Sequence, residues 1–248
     1  MVTLRGKMRD SLVRGCVFHT FGHCAMTLDG GDRKTLAPSG VTVEACDFGD
    51  TGLAMRTYTP GIWVTGCGHR IVRSYFHDFP SSAMRAGGNE HLIASNVLER
   101  AVLESDDQGA VDMWGDPTYR GNKFIHNVFR DIGRGGRDNV VRNNVFTRCV
   151  HGITVTPWTL DKWRAFNSGE KHEARCRAAN VDGATFRAKY PEFGDLLDTP
   201  MRNTFECNVF EGDGKPPEAG FEPLPPESAI GPGSDAVLEK ARERDASS

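Results

Sequence analysis

One short pattern constrains this chain more than any other feature. It runs apolar, two further residues, a small polar residue, any residue, then Phe or Leu. It reads VRGCVF (Val13 to Phe18), VEACDF (Val43 to Phe48), IVRSYF (Ile71 to Phe76) and IASNVL (Ile93 to Leu98), then FIHNVF (Phe124 to Phe129), VRNNVF (Val141 to Phe146) and FECNVF (Phe205 to Phe210). The fourth positions, Cys16, Cys46, Ser74, Asn96, Asn127, Asn144 and Asn208, are 30, 28, 22, 31, 17 and 64 residues apart. A fixed motif with variable insertions marks a coiled solenoid, in which each coil is a few short strands and stacking buries a continuous core. Parallel strands stack about 4.8 Å apart, so equivalent residues form ladders. Asn96, Asn127 and Asn144 should stack at a turn, where an amide satisfies backbone groups. Phe18, Phe48, Phe76, Phe129, Phe146 and Phe210 should stack inside, and Phe21, Phe79 and Ile132 should repeat that inward position three residues on. A leucine-rich repeat needs more Leu than the chain has. A helical solenoid needs a 3.6-residue period where these runs are short, β-branched and Gly-rich. The expected fold is therefore all-β, a parallel β-helix.

A second strand should follow each repeat: CAMTLD (Cys24 to Asp29), GLAMRT (Gly52 to Thr57), SAMRAG (Ser82 to Gly87), GAVDMW (Gly109 to Trp114) and GITVTP (Gly152 to Pro157). Their outward residues would form one exposed sheet face. Asp161 to Pro200 breaks the rhythm and carries Trp163, Phe166, Tyr190 and Phe193 among many charges, which predicts an excursion with short helices folding over the sheet. Past Phe210 the chain is rich in Pro and Gly, as in an extended wrapping tail. The expected organisation is a β-helix domain over 1–213, with an insertion at 157–200, and a tail over 214–248.

Composition narrows the function. With 38% hydrophobic residues, 25% charged and a net charge of −3, the chain lacks the basic footprint of a nucleic-acid binder. No apolar run reaches the ~18 residues of a membrane span. Seven cysteines without CxxC spacing argue against a disulfide framework or a zinc site and suggest small buried side chains. No leader-like apolar run follows Met1, which places the chain in the cytoplasm if Met1 is its start.

The densest chemistry is LESDDQGAVDMWGDPTYRGN, Leu103 to Asn122. Asp112 should point outward from a strand, with Trp114 on the same side. Asp106 and Asp107 precede that strand in a turn. Arg85 should lie at the height of Asp112 in the previous coil. Asp116, Tyr119, His151, Trp158, Lys162 and Trp163 complete the candidate set, with Trp158 and Trp163 at its rim. Carboxylates beside aromatic rings suit sugars: the rings stack on apolar sugar faces, and the carboxylates act as acid, base or nucleophile, or hold Ca²⁺. The alternative is structural: Asp and Gly are ordinary turn formers, and an Asp–Arg ladder is an ordinary ion pair. The pairs His77–Asp78 and Arg130–Asp131 are read as turn formers.

The stretches FHDFPSSAMRAGGNEHLIASNVLE, ESDDQGAVDMWGDPTYRGNKFIHNVFRDIG, RDNVVRNNVF, HGITVTPW and YPEF resemble bacterial right-handed parallel β-helix repeat proteins. The resemblance spans about residues 10–225. Many members of that group are glycoside hydrolases or polysaccharide lyases, usually exported, so it implies a secreted or periplasmic protein acting on polysaccharide or oligosaccharide. In hydrolase-like members a D-x-G-A-V strand, here Asp107 to Val111, supplies one carboxylate, and the next coil carries a second acidic pair. In this chain RDIGRGGRDN replaces that coil. Three readings follow: hydrolysis by Asp112 with Asp106 or Asp107; Ca²⁺-assisted lysis with Arg85 or Lys162 as base; or a non-catalytic carbohydrate binder.

Overall fold

The computed structural model describes residues 1–6, 8, 10–105, 108–113, 116–130, 140–147, 149, 159–198 and 204–211. Each copy of the repeat forms two short strands joined by a kink, and a third strand completes the coil. The first coil holds β1 (Val2–Gly6), β2 (Leu12–Arg14) and β3 (Val17–Phe18). The second holds β4 (Met26–Gly30), β5 (Thr42–Glu44) and β6 (Asp47–Gly49). The third holds β7 (Ile62–Gly66), β8 (Arg70–Val72) and β9 (Tyr75–Phe79). The fourth holds β10 (Met84–Ala86), β11 (Leu92–Ala94) and β12 (Val97–Ala101), and the fifth β13 (Val111–Asp112), β14 (Lys123–Ile125) and β15 (Val128–Arg130). Above these lie β16 (Val140–Arg142), β17 (Val145–Thr147), β18 (Thr204–Glu206) and β19 (Val209–Glu211). All pairings between these strands are parallel, and they build three sheets: β1-β4-β7-β10-β13, β2 to β18, and β3 to β19. The chain is thus an all-β, solenoid-like stack of parallel strands with a helical excursion.

The kink between the second and third sheets has a simple cause. The residue before each ladder position is left-handed: Gly15, Ala45, Arg73, Ser95, His126, Asn143 and Cys207 have φ between 50° and 65°. The following asparagine then turns inward. Asn96 accepts from the Ser74 N–H (2.9 Å) and donates to the Ile71 carbonyl (2.9 Å). Asn127 and Asn144 repeat the geometry, and Asn208 closes the series, donating to the Val141 carbonyl at 2.9 Å. The turn backbone from the third coil upward is thereby satisfied by the coil stacked on it, which is what a buried polar position requires.

Phenylalanines line the interior. Phe18 stacks on Phe48 at 4.6 Å, Phe48 on Phe76 at 4.8 Å, and Phe129 on Phe146 at 4.8 Å, each pair within 6° of coplanar. Phe79 is buried and Phe21 packs against the same core; Ile132 lies outside the described residues. Cys24, Cys46, Cys67 and Cys149 are buried thiols, as small core side chains.

A second polar ladder runs through the turns between the first and second sheets. Ser39 Oγ lies 2.8 Å from His69 Nδ1, and the His69 N–H donates to His91 Nδ1 at 3.1 Å. The His91 N–H donates to Asn122 Oδ1 at 3.0 Å, and His91 Nε2 meets the Gly87 carbonyl at 3.1 Å. His91 is therefore a neutral imidazole, accepting at Nδ1 and donating at Nε2.

Three expectations are corrected. Gly52 to Thr57 is not a strand; the first-sheet strand of the third coil is β7. Gly52 is left-handed (φ 71°), and Leu53 and Met55 are exposed, so the segment has no inward face. His77–Asp78 is not a turn: both residues lie within β9, with a left-handed residue, Asp78 (φ 58°), inside the strand. Arg130 likewise ends β15, and its partner Asp131 lies outside the described residues.

The third correction concerns the excursion. It forms α1 (Leu160–Phe166), α2 (Gly169–Ala179), α3 (Ala184–Lys189) and a 3-10 turn (Pro191–Asp195). It packs on the turns between the first two sheets rather than over a sheet face. The Tyr190 hydroxyl donates to the Arg120 carbonyl (3.1 Å) and to Glu90; Lys189 lies 3.2 Å from Glu90, and Arg120 donates to Glu192 at 3.0 Å. Phe186, Tyr190 and Phe193 pack with Leu36 in a small core of their own. The expected strand at 152–157, the replaced coil at 131–139 and the tail at 214–248 lie outside the described residues.

Candidate functional site

The first sheet presents one outward column. Its register aligns Thr3, Thr27, Trp63, Arg85 and Asp112. Their neighbours Met26, Ile62 and Met84 point into the core, so alternation turns this column away from the core. Arg85 and Asp112 are adjacent rungs, as the sequence predicts. Arg85 Nε lies 3.6 Å from Asp112 Oδ2, and Asp112 is 9% exposed.

Aromatic rings fix the arginine. Its guanidinium carbon lies 5.2 Å from the centroid of the Trp63 ring and 5.7 Å from that of Tyr58. A guanidinium over two ring faces is held by cation–π attraction and loses little further freedom on binding a ligand. Tyr58 comes from the loop between β6 and β7, where it is exposed and left-handed (φ 56°). Arg56 in the same loop forms a two-pronged ion pair with Glu104, which tethers that loop to the one after β12. Trp63 and Tyr58 escaped the sequence reading because Gly52 to Thr57 had been aligned as the strand. The alternation of Ile62, Trp63 and Val64 is the signal that identifies the outward tryptophan.

The other candidates divide. Tyr119 sits beside the column: its ring packs where a Cβ on Gly87 would fall (2.9 Å), and the Arg33 guanidinium carbon lies 4.8 Å from its centroid. Burial raises the affinity of its hydroxyl for the proton, and Asp116 adds to this. Asp116 is engaged in a turn, where Oδ1 accepts from the Thr118 N–H (2.9 Å) and hydroxyl (2.6 Å). That geometry favours its structural reading. Lys162 is exposed in the first turn of α1, and its N–H donates to the capping Thr159 hydroxyl at 3.3 Å. Trp163 does not line a rim: it is 2% exposed, and its indole N–H donates to the Leu196 carbonyl. The excursion folds on itself, so its large aromatic rings form its own core. Asp106, Asp107, Trp114, His151 and Trp158 lie outside the described residues.

Among the described residues the column offers one carboxylate, Asp112, and the rung stacked on it is a cation. The chemistry on view is a fixed guanidinium beside a carboxylate, flanked by aromatic rings on an open parallel sheet. No family model matches the chain, and no curated protein matches it. What defines its class is the fold: an all-β chain of three parallel sheets, with one strand of each sheet in each of the first five coils. No helix among the described residues is long and apolar enough to cross a membrane.

Proposed function

We propose that the chain is a right-handed parallel β-helix that acts on polysaccharide, with the sugar lying along the Trp63–Arg85–Asp112 column. The observation that carries this reading is the Arg85 guanidinium, held over the Trp63 and Tyr58 rings and 3.6 Å from Asp112. It supplies planar donors for sugar hydroxyls or carboxylates, beside a carboxylate able to serve as acid, base or nucleophile. In the hydrolytic reading Asp112 is one member of the carboxyl pair, and Asp106 or Asp107 is the other. A retaining mechanism needs the pair about 5 Å apart and an inverting one about 6.5–9.5 Å.

Arg85 also favours a second reading. A fixed cation on an open sheet suits a uronate carboxylate, which β-elimination requires to be neutralised. Ca²⁺ held by the Asp106, Asp107 and Asp112 group would share that task, with Lys162 as the base, since Arg85 stays charged when it neutralises the uronate.

The experiment is a panel of neutral and uronate polysaccharides, followed by reducing ends and by the ultraviolet absorbance of unsaturated products, with Asp112→Asn and Arg85→Ala alongside. New reducing ends without unsaturation, lost in Asp112→Asn, are the expected result. Unsaturated products suppressed by EDTA favour the lyase. Saccharide retention without turnover, weakened in Arg85→Ala, makes the chain a binder. Folded protein that shows neither turnover nor retention would overturn the proposal.

A further inference from the structure

On the third sheet, in the first three coils, three donor atoms converge. His19 Nε2 and His77 Nε2 each lie 3.0 Å from Asp47 Oδ1, and all three atoms fall within 4.8 Å of one another. His19 directly follows β3, Asp47 opens β6, and His77 lies within β9, so each residue comes from a different coil.

Gly49 makes the convergence possible. It pairs in register with His77 and sits between the two imidazoles. A Cβ there would fall 2.7 Å from His77 Cε1 and 3.1 Å from His19 Nε2. In the next two coils the same column carries Glu99 and Arg130, whose side chains fill the space. At Gly49 the missing side chain lets the rings, 5.1 Å apart at 71°, lean toward Asp47.

The contact between His77 and Asp78 is the second observation. His77 Nδ1 lies 2.6 Å from Asp78 Oδ2, and Asp78 in turn accepts from Arg100 Nε (2.6 Å) and its terminal nitrogen (2.9 Å). An Nδ1–H donated to Asp78 turns the Nε2 lone pair toward a carboxylate oxygen 3.0 Å away. Two acceptors at that distance repel unless a cation lies between them. A carboxylate holding the far nitrogen of an imidazole is also the arrangement that orients metal-ligating histidines.

We infer that His19, Asp47 and His77 form a binding site for a divalent transition-metal ion of the zinc class, with its remaining positions open to solvent. Two imidazoles and one carboxylate suit zinc and its neighbours, whereas calcium and magnesium prefer oxygen donors throughout. Ligand shells with bonds of about 2.1 Å have donor–donor edges of about 3.0–3.4 Å, which matches both contacts to Asp47. The His19 and Asp47 side chains are 34% and 32% exposed, so an ion reaches them from solvent. The bound ion would tie the first coil to the third. The site lies on a different sheet from the Trp63–Arg85–Asp112 column and does not depend on the saccharide reading.

The test is titration of the metal-stripped full chain with Zn²⁺ by calorimetry, and with Co²⁺ followed by its visible absorption. One equivalent should bind and raise the melting temperature. His19→Ala and Asp47→Asn, both at partly exposed positions, should each weaken Zn²⁺ at least tenfold and abolish the Co²⁺ spectrum. Asp78→Asn, a positioning change, should weaken Zn²⁺ about tenfold while leaving one equivalent of Co²⁺. Absence of saturable binding would overturn the inference and assign the space to a proton on His77. Affinity unchanged in both ligand variants would overturn it as well, placing the ion elsewhere on the chain.

Discussion

Asn127 Oδ1 accepts two hydrogen bonds from one neighbour, the Asn96 backbone N–H at 3.0 Å and the Asn96 side-chain amide at 3.1 Å. Its own amide donates to the Ile93 carbonyl at 3.0 Å. One side chain thus satisfies the turn of the coil below, inside a site closed to water. Asn127→Ala strips partners from groups that cannot reach solvent, and should cost on the order of 3 kcal/mol. Urea unfolding followed by circular dichroism measures it; a loss under about 1 kcal/mol would mean the rung is not buried as described.

Backbone packing between coils is as tight at Gly66. This residue has φ 91°, and a Cβ on it would fall 2.0 Å from the Gly30 carbonyl oxygen. Gly66→Ala combines left-handed strain with a clash against backbone, and should destabilise by more than about 2 kcal/mol. Gly194→Ala is the control, since a Cβ there meets nothing within 4 Å. Equal melting temperatures for the two variants would contradict the stacking at Gly66.

The buried histidines set a pH dependence. Burial holds His69 down to about 4 and His91 down to about 3, against an ordinary value of 6.5. Both therefore bind fewer protons folded than unfolded below 6.5. Stability is full above about 6.5 and falls as the pH drops toward about 4 and 3, where the folded chain begins to take up the protons itself. Thermal unfolding at half-unit pH steps should show this slope. His91→Asn, which copies the Asn122 rung, should flatten it; an unchanged slope would assign the acid sensitivity to other groups.

Tyr190 anchors the helical excursion through its hydroxyl to Glu90 and to the Arg120 carbonyl. Tyr190→Phe removes both bonds, while Glu90 keeps Lys189 at 3.2 Å and the Arg120 carbonyl keeps the Glu90 N–H (3.1 Å) and the Asn89 amide (3.3 Å). Limited proteolysis should then cut within 159–198 several times faster, with the β-sheet signal retained. Cutting at the wild-type rate would show that the aromatic cluster of Phe186 and Phe193 suffices to hold the segment.

The ladders were legible because they repeat. Asn96, Asn127 and Asn144 recur at one offset from an inward Phe or Leu, and a rung needs only the like residue above or below it. The pairing of Arg85 with Asp112 was legible for the same reason, since their strands align by pattern. Trp63 was not, because GLAMRT mimics the strand motif closely enough to displace IWVTG. The Trp163 rim position failed on burial: an indole among charges read as surface, but the short helices around it close on it.

The sequence by itself determined the coil: a left-handed residue, a small polar rung and an inward aromatic ring at fixed spacing leave the backbone little else to do than stack. Only the tertiary structure decided which residues outside the repeated ladders meet across coils. Insertions of unequal length separate the rungs, so Tyr58 reaches Arg85 from a loop, and His19, Asp47 and His77 converge from three successive coils despite lying 28 and 30 residues apart. Contacts of that kind depend on strand register and on the space left at Gly49, and neither is written in the spacing of the residues that meet there.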